Sequence, residues 1–238
     1  MEKKIDQIII LNGGSGSRVK SIANGGPKCL IKINSKPFLY LQLNLIKKNN
    51  IKKVVICCGY KSELIVKEIK KKYIKDLNLD IQLSIEKKKL GTGGAILHAY
   101  KFLDDNFFII YGDSWLDINF INVAKTFALS KKKGLMTLIK SSLVKEHRPN
   151  VIFKKNKIIE YNKNKKSIDF KFIDYGLIAM KKDILSKYNL NFINKKFDLK
   201  KIIKSMIATH DLVGYVVKTR FYTIGSPIDV MKIKKVIK

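Results

Sequence analysis

The sequence predicts an α/β protein with a doubly wound, mixed sheet, and three observations predict it. Strand-like runs at residues 7–11, 54–58 and 107–111 are apolar almost throughout, as expected of strands covered on both faces. Between them lie segments whose apolar residues recur at helical spacing, so the order is strand, helix, strand, helix. Glycine-bearing turns follow the runs at 7–11 and 107–111, at the carboxyl edge where open parallel sheets bind ligands.

In chain order, residues 7–11 form the first strand and run into Asn12-Gly13-Gly14-Ser15-Gly16-Ser17-Arg18. From Pro37, which suits a first helical turn, Phe38, Leu41 and Leu45 recur beside Leu39, Leu43 and Ile46, and the pattern stops near Asn49-Asn50. After the second strand, Ser62 is the expected N-cap of one helix carrying Leu64, Ile65, Ile69 and Tyr73. Residues 80–86 alternate as a third strand. Leu90-Gly91-Thr92-Gly93-Gly94-Ala95 opens a helix through Ile96, Leu97, Tyr100 and Leu103, and the fourth strand ends in Gly112-Asp113. A helix at about 120–130 and a strand at 134–140 follow. The second half reads as a hairpin of 151–153 and 158–161, then a long strand at 170–180 interrupted by Asp174-Tyr175-Gly176. A helix near 198–208, a strand near 213–217, the turn Ile224-Gly225-Ser226-Pro227 and a terminal helix close the chain.

At 238 residues and 46% hydrophobic content, the chain can bury the core of a single domain. A formal net charge of +30 ordinarily suggests a polyanionic partner, nucleic acid or membrane. Here arginine occurs only at 18, 148 and 220, and lysines are spread along the chain among abundant Ile and Asn. That is the bias of a low-GC genome rather than a selected binding face, so no specific nucleic acid or membrane partner is expected. Lys70-Lys71-Lys72 and Lys131-Lys132-Lys133 fall at expected helix ends, where cations meet the negative end of the dipole. Cys29, Cys57 and Cys58 have no metal spacing and read as small buried hydrophobes in a reducing compartment. His98, His147 and His210 are scattered, and no apolar run approaches the ~20 residues that span a bilayer, so a cytoplasmic protein is expected.

Three glycines among Gly13, Gly14, Ser15 and Gly16 let consecutive N–H groups turn inward around an anion, and Arg18 adds fixed positive charge. The Gly-Lys-Ser/Thr ending of ATPase phosphate loops is missing, and the glycine spacing is not that of the dinucleotide fingerprint. A tight structural turn also accounts for Gly13 and Gly14. Asp113 suits a hard cation such as Mg2+, which prefers one or two carboxylates plus substrate phosphates; a helix N-cap, with Ser114 as an equal candidate, is the other reading. Gly91-Thr92-Gly93-Gly94 fits a helix start packed close to the sheet, and Gly176 a bulged strand.

Pro27-Lys28-Cys29-Leu30 follows the loop, with a short strand and Lys36-Pro37 after it. A strand ending in Leu-x-Gly-Gly-x-Gly-Ser-Arg, then Pro-Lys-x-Leu, resembles the sugar-1-phosphate nucleotidyltransferases, and the likeness covers nearly the full length. The resemblance implies a Rossmann-like nucleotidyltransferase fold with a small sugar-binding β extension, residues 1–140 forming a nucleotide-binding half and 141–238 a sugar-phosphate-binding half. It implies transfer of a nucleotidyl group from a nucleoside triphosphate to a sugar 1-phosphate, with pyrophosphate released. Leu11, Asn12, Gly13, Gly14, Gly16 and Ser17 would then hold the nucleotide, with Gly91, Thr92 and Gly93 under the base and Glu86 a contact to base or ribose. Arg18, Lys28 and Asp113 would be catalytic, Asp113 through Mg2+, while Lys163, Asp174 and Gly176 would hold the sugar phosphate. The loops look most like the branch that makes GDP-mannose and GDP-heptose precursors, although uridylyl and cytidylyl relatives share much of the pattern; a homodimer is compatible with it.

Phe221-Tyr222-Thr223-Ile224-Gly225-Ser226-Pro227 resembles that family's closing motif, but Thr223 stands where an acidic metal ligand is common. This departure keeps a catalytically silent nucleotide-binding homologue among the readings, and the +30 charge keeps a nucleic-acid-binding protein as the remotest one. Trp115, just past Asp113-Ser114, is expected in the sugar pocket or the core.

Overall fold

The computed structural model describes residues 5–13, 19, 22–188 and 195–237. Nine strands form one sheet: β1 (Gln7–Asn12), β2 (Lys53–Cys58), β3 (Asp80–Ile85), β4 (Asn106–Tyr111), β5 (Gly134–Lys140), β6 (Val151–Lys154), β7 (Lys157–Tyr161), β8 (Phe172–Lys181) and β9 (Leu212–Val217). Their order is β3-β2-β1-β4-β8-β5-β9-β7-β6. The four strands β3, β2, β1 and β4 are parallel, β8 runs antiparallel between β4 and β5, and β9 is parallel to β5. The chain therefore enters the sheet centre twice, once with β1 and again, 160 residues later, with β8.

Side-chain alternation explains why the central strands are apolar on both sides. Ile8 and Ile10, Val54 and Ile56, and Phe108 and Ile110 belong to one core layer. Their neighbours Ile9 and Leu11, Val55 and Cys57, and Phe107 and Ile109 belong to the opposite layer. Helices α1 (Phe38–Lys48), α2 (Ser62–Ile69), the single turn α3 (Lys72–Lys75) and α5 (Phe120–Ser130) bear on the first layer through Leu39, Leu43, Ile65, Ile74, Phe120 and Val123. Helices α4 (Gly91–His98) and α6 (Leu199–Ala208) cover the second through Ile96, Leu97, Ile202, Ile203 and Met206. The terminal helix α7 (Pro227–Val236) packs with Val19, Ile33 and Phe38 in a third, smaller cluster. The doubly wound α/β architecture is as expected. The hairpin of β6 and β7 extends the main sheet at its edge, with Phe172 of β8 also pairing Val151.

Three local expectations are corrected. The helix expected to begin at a Ser62 cap follows Lys61, whose φ of 50° is left-handed and which makes no side-chain cap. It also does not run on to Tyr73: α2 ends at Ile69 and α3 starts at Lys72, because extended Lys71 (ψ 145°) separates them. Leu103 lies outside α4, which stops at His98 before a 3-10 turn at Tyr100–Phe102.

The long strand expected around Asp174-Tyr175-Gly176 is continuous but bulged. Its register against β5 shifts between Asp174 and Ile178, and Gly176 takes φ 108°, a conformation that favours glycine. Thr137 of β5, fully buried, secures the bulge: its hydroxyl donates to the Leu177 carbonyl at 2.7 Å and accepts from the Leu177 N–H at 3.2 Å. Thr137→Val keeps the shape but leaves both backbone groups unpaired, so unfolding in denaturant should show a loss of about 1–3 kcal/mol. An unchanged midpoint would mean that the bulge is held by the ladder alone.

Candidate active site

The carboxyl ends of β1 and β4 open into a cavity of about 240 Å³. It gathers Leu11, Asn12, Gly13, Lys28, Glu86, Gly91, Thr92 and Asp113 from the residues singled out in the sequence. Gly14, Gly16, Ser17 and Arg18 lie outside the described residues. Cys29, Lys89, Ala95 and Tyr111 also line the cavity, though none of them was singled out as a site residue. Lys89 closes a run of three lysines in a lysine-rich chain, and Tyr111 looks like an ordinary strand terminus.

Asp113 is held by its backbone. The Gly112 N–H donates to the Leu11 carbonyl at 3.1 Å, and a Cβ on Gly112 would overlap the Asn12 side chain where it now lies, so any larger residue would have to displace it. From α1, the buried Gln42 amide donates to the carbonyls of Tyr111 at 3.0 Å and Ser114 at 2.9 Å, pinning the turn from below. From above, Tyr222 and Thr223 pair with Trp115 and Ser114, and the Ile224 N–H donates to the Asp113 carbonyl at 3.0 Å. The closing motif thus lies beside Asp113, where the sequence resemblance puts it, and the Asp113 N-cap reading fails because α5 is capped by Asn119. Trp115 turns away from the cleft and lines a different cavity, with Tyr40 and Lys36.

Lys28 sits in a 3-10 turn, Lys28–Leu30, entered through Pro27 and anchored by buried Cys29. Its Nζ lies 3.0 Å from Asp113 Oδ2, with the two side chains 15% and 35% exposed. Glu86 faces the same cavity. Its Oε2 accepts the Leu90 N–H at 2.8 Å, and Oε1 would be 3.0 Å from a Cβ on Gly13, so the two loops meet closely because Gly13 has no side chain. Burial pushes the Glu86 carboxyl above its ordinary range, opposed by the Leu90 N–H and by His98.

The second glycine loop has a different reason for its glycines. The N–H groups of Gly93 and Gly94 both donate to the Phe197 carbonyl at 3.0 Å, and the Phe197 N–H donates to Leu90 at 2.7 Å. A Cβ on Gly91 would sit 2.7 Å from the Phe197 oxygen, one on Gly94 2.8 Å from the Lys195 oxygen, and one on Gly93 would overlap the Phe197 ring. The close approach is therefore to the segment that leads into α6. Gly93 faces that segment and does not line the cavity, whereas Gly91 and Thr92 do. Thr92 Oγ1 accepts the Leu199 N–H at 3.0 Å.

Across Tyr111 lies a second group. Lys163 Nζ stands 5.2 Å from the Tyr111 ring centre and 5.6 Å from that of Tyr161, and 3.9 Å from Asp174 Oδ2. The Asp174 side chain, 2% exposed, accepts from the Tyr161 hydroxyl at 3.1 Å and the Gly176 N–H at 3.1 Å. Burial first, and Asp174 next, hold the phenols of Tyr111 and Tyr161 far above their ordinary range, so both stay neutral donors. Lys163, Asp174 and Gly176 are thus brought together beside the cavity, with Tyr111 as the shared wall.

Burial also pushes Cys58 up to about 12 and raises Cys29 and Cys57, so these thiols are not nucleophiles. Among the described residues no three His, Cys, Asp or Glu side chains converge to hold a metal. Among the described residues Asp113 presents the more exposed of the two carboxylates at the cavity, the other being Glu86, and one such carboxylate fits a cation that takes its remaining ligands from a bound anion. Among the described residues no helix is long and apolar enough to cross a membrane.

A family model described as nucleotidyl transferase matches residues 7–233. The chain is 44% identical over 115 residues to a D-glycero-alpha-D-manno-heptose 1-phosphate guanylyltransferase of Campylobacter jejuni, a match covering 48% of this chain and 50% of that protein. It is 29% identical to the protein of the same name from Aneurinibacillus thermoaerophilus, over 96% of this chain and 97% of that one. The crystal structure of HddC from Yersinia pseudotuberculosis complexed with GMP-PN superposes with a TM-score of 0.77 at 24% identity, covering 98% of this chain and 100% of that one, which shows the fold.

The raised Glu86 carboxyl has a consequence for stability. The native state keeps this proton to higher pH than the unfolded chain does, so the associated stability is present at low pH and is lost as pH rises above the ordinary value of 4.5. Glu86→Gln removes that titration and keeps an acceptor for Leu90. Its unfolding free energy, followed in denaturant from acid to neutral pH, should decline less steeply than that of wild type. Parallel profiles would show that the Glu86 carboxylate is not desolvated.

Proposed function

The chain belongs to the nucleotidyl transferase family, and from that premise we propose that it transfers the guanylyl group of GTP to a sugar 1-phosphate of the heptose or mannose class. The observation that carries this reading is the Lys28–Asp113 pair, 3.0 Å apart at the mouth of a cavity that also contains Gly13, Glu86 and Thr92. The names of the two bacterial relatives favour guanine and heptose over other bases and sugars.

In this reading an oxygen of the sugar phosphate attacks the α-phosphorus in line. The new P–O bond forms as the bond to the α–β bridging oxygen breaks, and pyrophosphate leaves with that electron pair. No protein nucleophile is needed, so catalysis is positioning plus charge neutralisation. Lys28 neutralises charge developing on the α-phosphate. We assign Leu11, Asn12, Gly13, Gly14, Gly16 and Ser17 to the β- and γ-phosphates, bound through backbone N–H groups, and Arg18 to the leaving pyrophosphate. Asp113 holds a divalent cation, Mg2+ in our assignment, which when bound offsets phosphate charge. Because Thr223 carries no carboxylate, a cation at Asp113 would take most of its ligands from the nucleotide.

Glu86 reads the base. A carboxylate only accepts, and the Watson–Crick edge of guanine offers adjacent N1–H and N2–H donors. Gly91 and Thr92 lie under the base, and Gly93 fixes their position from the far side. Lys163 holds the sugar phosphate, while Asp174, immobilised by Tyr161 and Gly176, accepts from sugar hydroxyls. Residues 1–140 thus serve the nucleotide and 141–238 the sugar phosphate, within one sheet.

Pyrophosphate release from four nucleoside triphosphates against several sugar 1-phosphates tests the reading. GTP with a heptose or mannose 1-phosphate should be fastest, and Glu86→Gln should narrow the preference for GTP. Lys28→Ala and Arg18→Ala should each lower turnover about a hundredfold, since one preorganised charge at such a transition state is worth roughly 3 kcal/mol. A folded Lys28→Ala protein with near-normal rate, or absence of turnover with every pair, would overturn the assignment.

A further inference from the structure

Lys28 and a divalent cation compete for the Asp113 carboxylate. With Nζ at 3.0 Å from that oxygen, the ammonium already compensates the carboxylate that the proposed function gives to the metal. The pair is partly buried, Lys28 being 15% and Asp113 35% exposed, so water and salt screen it less than they screen a fully exposed pair. The two anchors are rigid. Lys28 springs from a turn closed by the Leu30 N–H on Pro27 and the Ile31 N–H on Lys28, both at 3.0 Å, and Asp113 is fixed by Gln42 and Ile224. Between them only the four-carbon lysine stem is free to move, and it can swing from carboxylate to phosphate without any change in the fold.

We propose that Lys28 is a built-in placeholder for the cation: in the nucleotide-free protein it blocks Asp113, and the arriving triphosphate releases Asp113 by drawing the ammonium onto its own oxygens. This rests on the nucleotidyltransferase reading given above and deepens it. The consequence is an order of events. Free metal does not load the empty site, and the cation takes Asp113 only together with the nucleotide. Lys28 is then a positioning residue for the metal as well as a catalytic group toward the α-phosphate.

The probe is Mn2+ alone, with free Mn2+ followed by electron paramagnetic resonance in protein without nucleotide. Wild type should bind weakly, and Lys28→Met should bind about tenfold more tightly or better, since an unpaired, partly buried carboxylate gains more from a cation than one already compensated. Lys28→Gln repeats the measurement should the Met variant fail to fold. Asp113→Asn, added to either variant, should abolish the gain. Equal Mn2+ affinity in wild type and the Lys28 variants overturns the placeholder, as does a gain that survives Asp113→Asn. Both outcomes leave the proposed function standing when wild type still releases pyrophosphate, whereas a wild type that turns over no substrate pair removes the reading beneath the proposal.

Discussion

The approach of the β1 and β4 carboxyl ends governs the cleft. Parallel pairing from Ile8–Phe108 to Leu11–Tyr111 continues one step past the strands, into the Gly112 N–H on the Leu11 carbonyl. That step succeeds only because Gly112 has no side chain where the Asn12 amide lies. With it in place, Gly13 and Asp113 emerge side by side, one able to offer backbone N–H groups and the other a carboxylate.

The sheet was legible because its signal is redundant. Period-2 alternation between two buried layers gives runs such as 7–11, 54–58 and 107–111 that only a doubly covered strand explains. Helix boundaries were less legible, since they turn on single backbone conformations: the left-handed Lys61 displaces the cap expected at Ser62, and extended Lys71 breaks a helix whose apolar spacing continues. The placement of β8 in the sheet centre has no local signature at all. It follows from which strand edges are free once β1 to β4 have paired.

At the site, residues with distinctive chemistry or spacing were legible, and residues that act by position were not. Lys28 stood out because proline precedes it, and Asp113 because glycine does. Lys89 did not, in a chain with 49 basic residues. Gln42 appeared only as one polar residue in a helix, yet it ties the Asp113 turn to α1. The glycines at 91, 93 and 94 marked a close approach correctly, but the partner is the Lys195–Leu199 stretch, more than a hundred residues away. Sequence shows that something must come near and is silent on what comes.

That contact bears on how such a protein can diverge. Leu90, Gly93 and Gly94 exchange three backbone hydrogen bonds with Phe197, and Thr92 receives a fourth from Leu199. Three of these four bonds join main-chain atoms on both sides, so changing side chains alone cannot retune them, and an alteration in backbone path on one side must be matched on the other. The Leu90–Gly94 loop and the lead into α6 therefore form one inheritable block, although the chain separates them widely. Recombination between homologues within the second half would preserve the geometry of the Leu90–Gly94 loop only when residues 195–199 travel with the loop that they clasp.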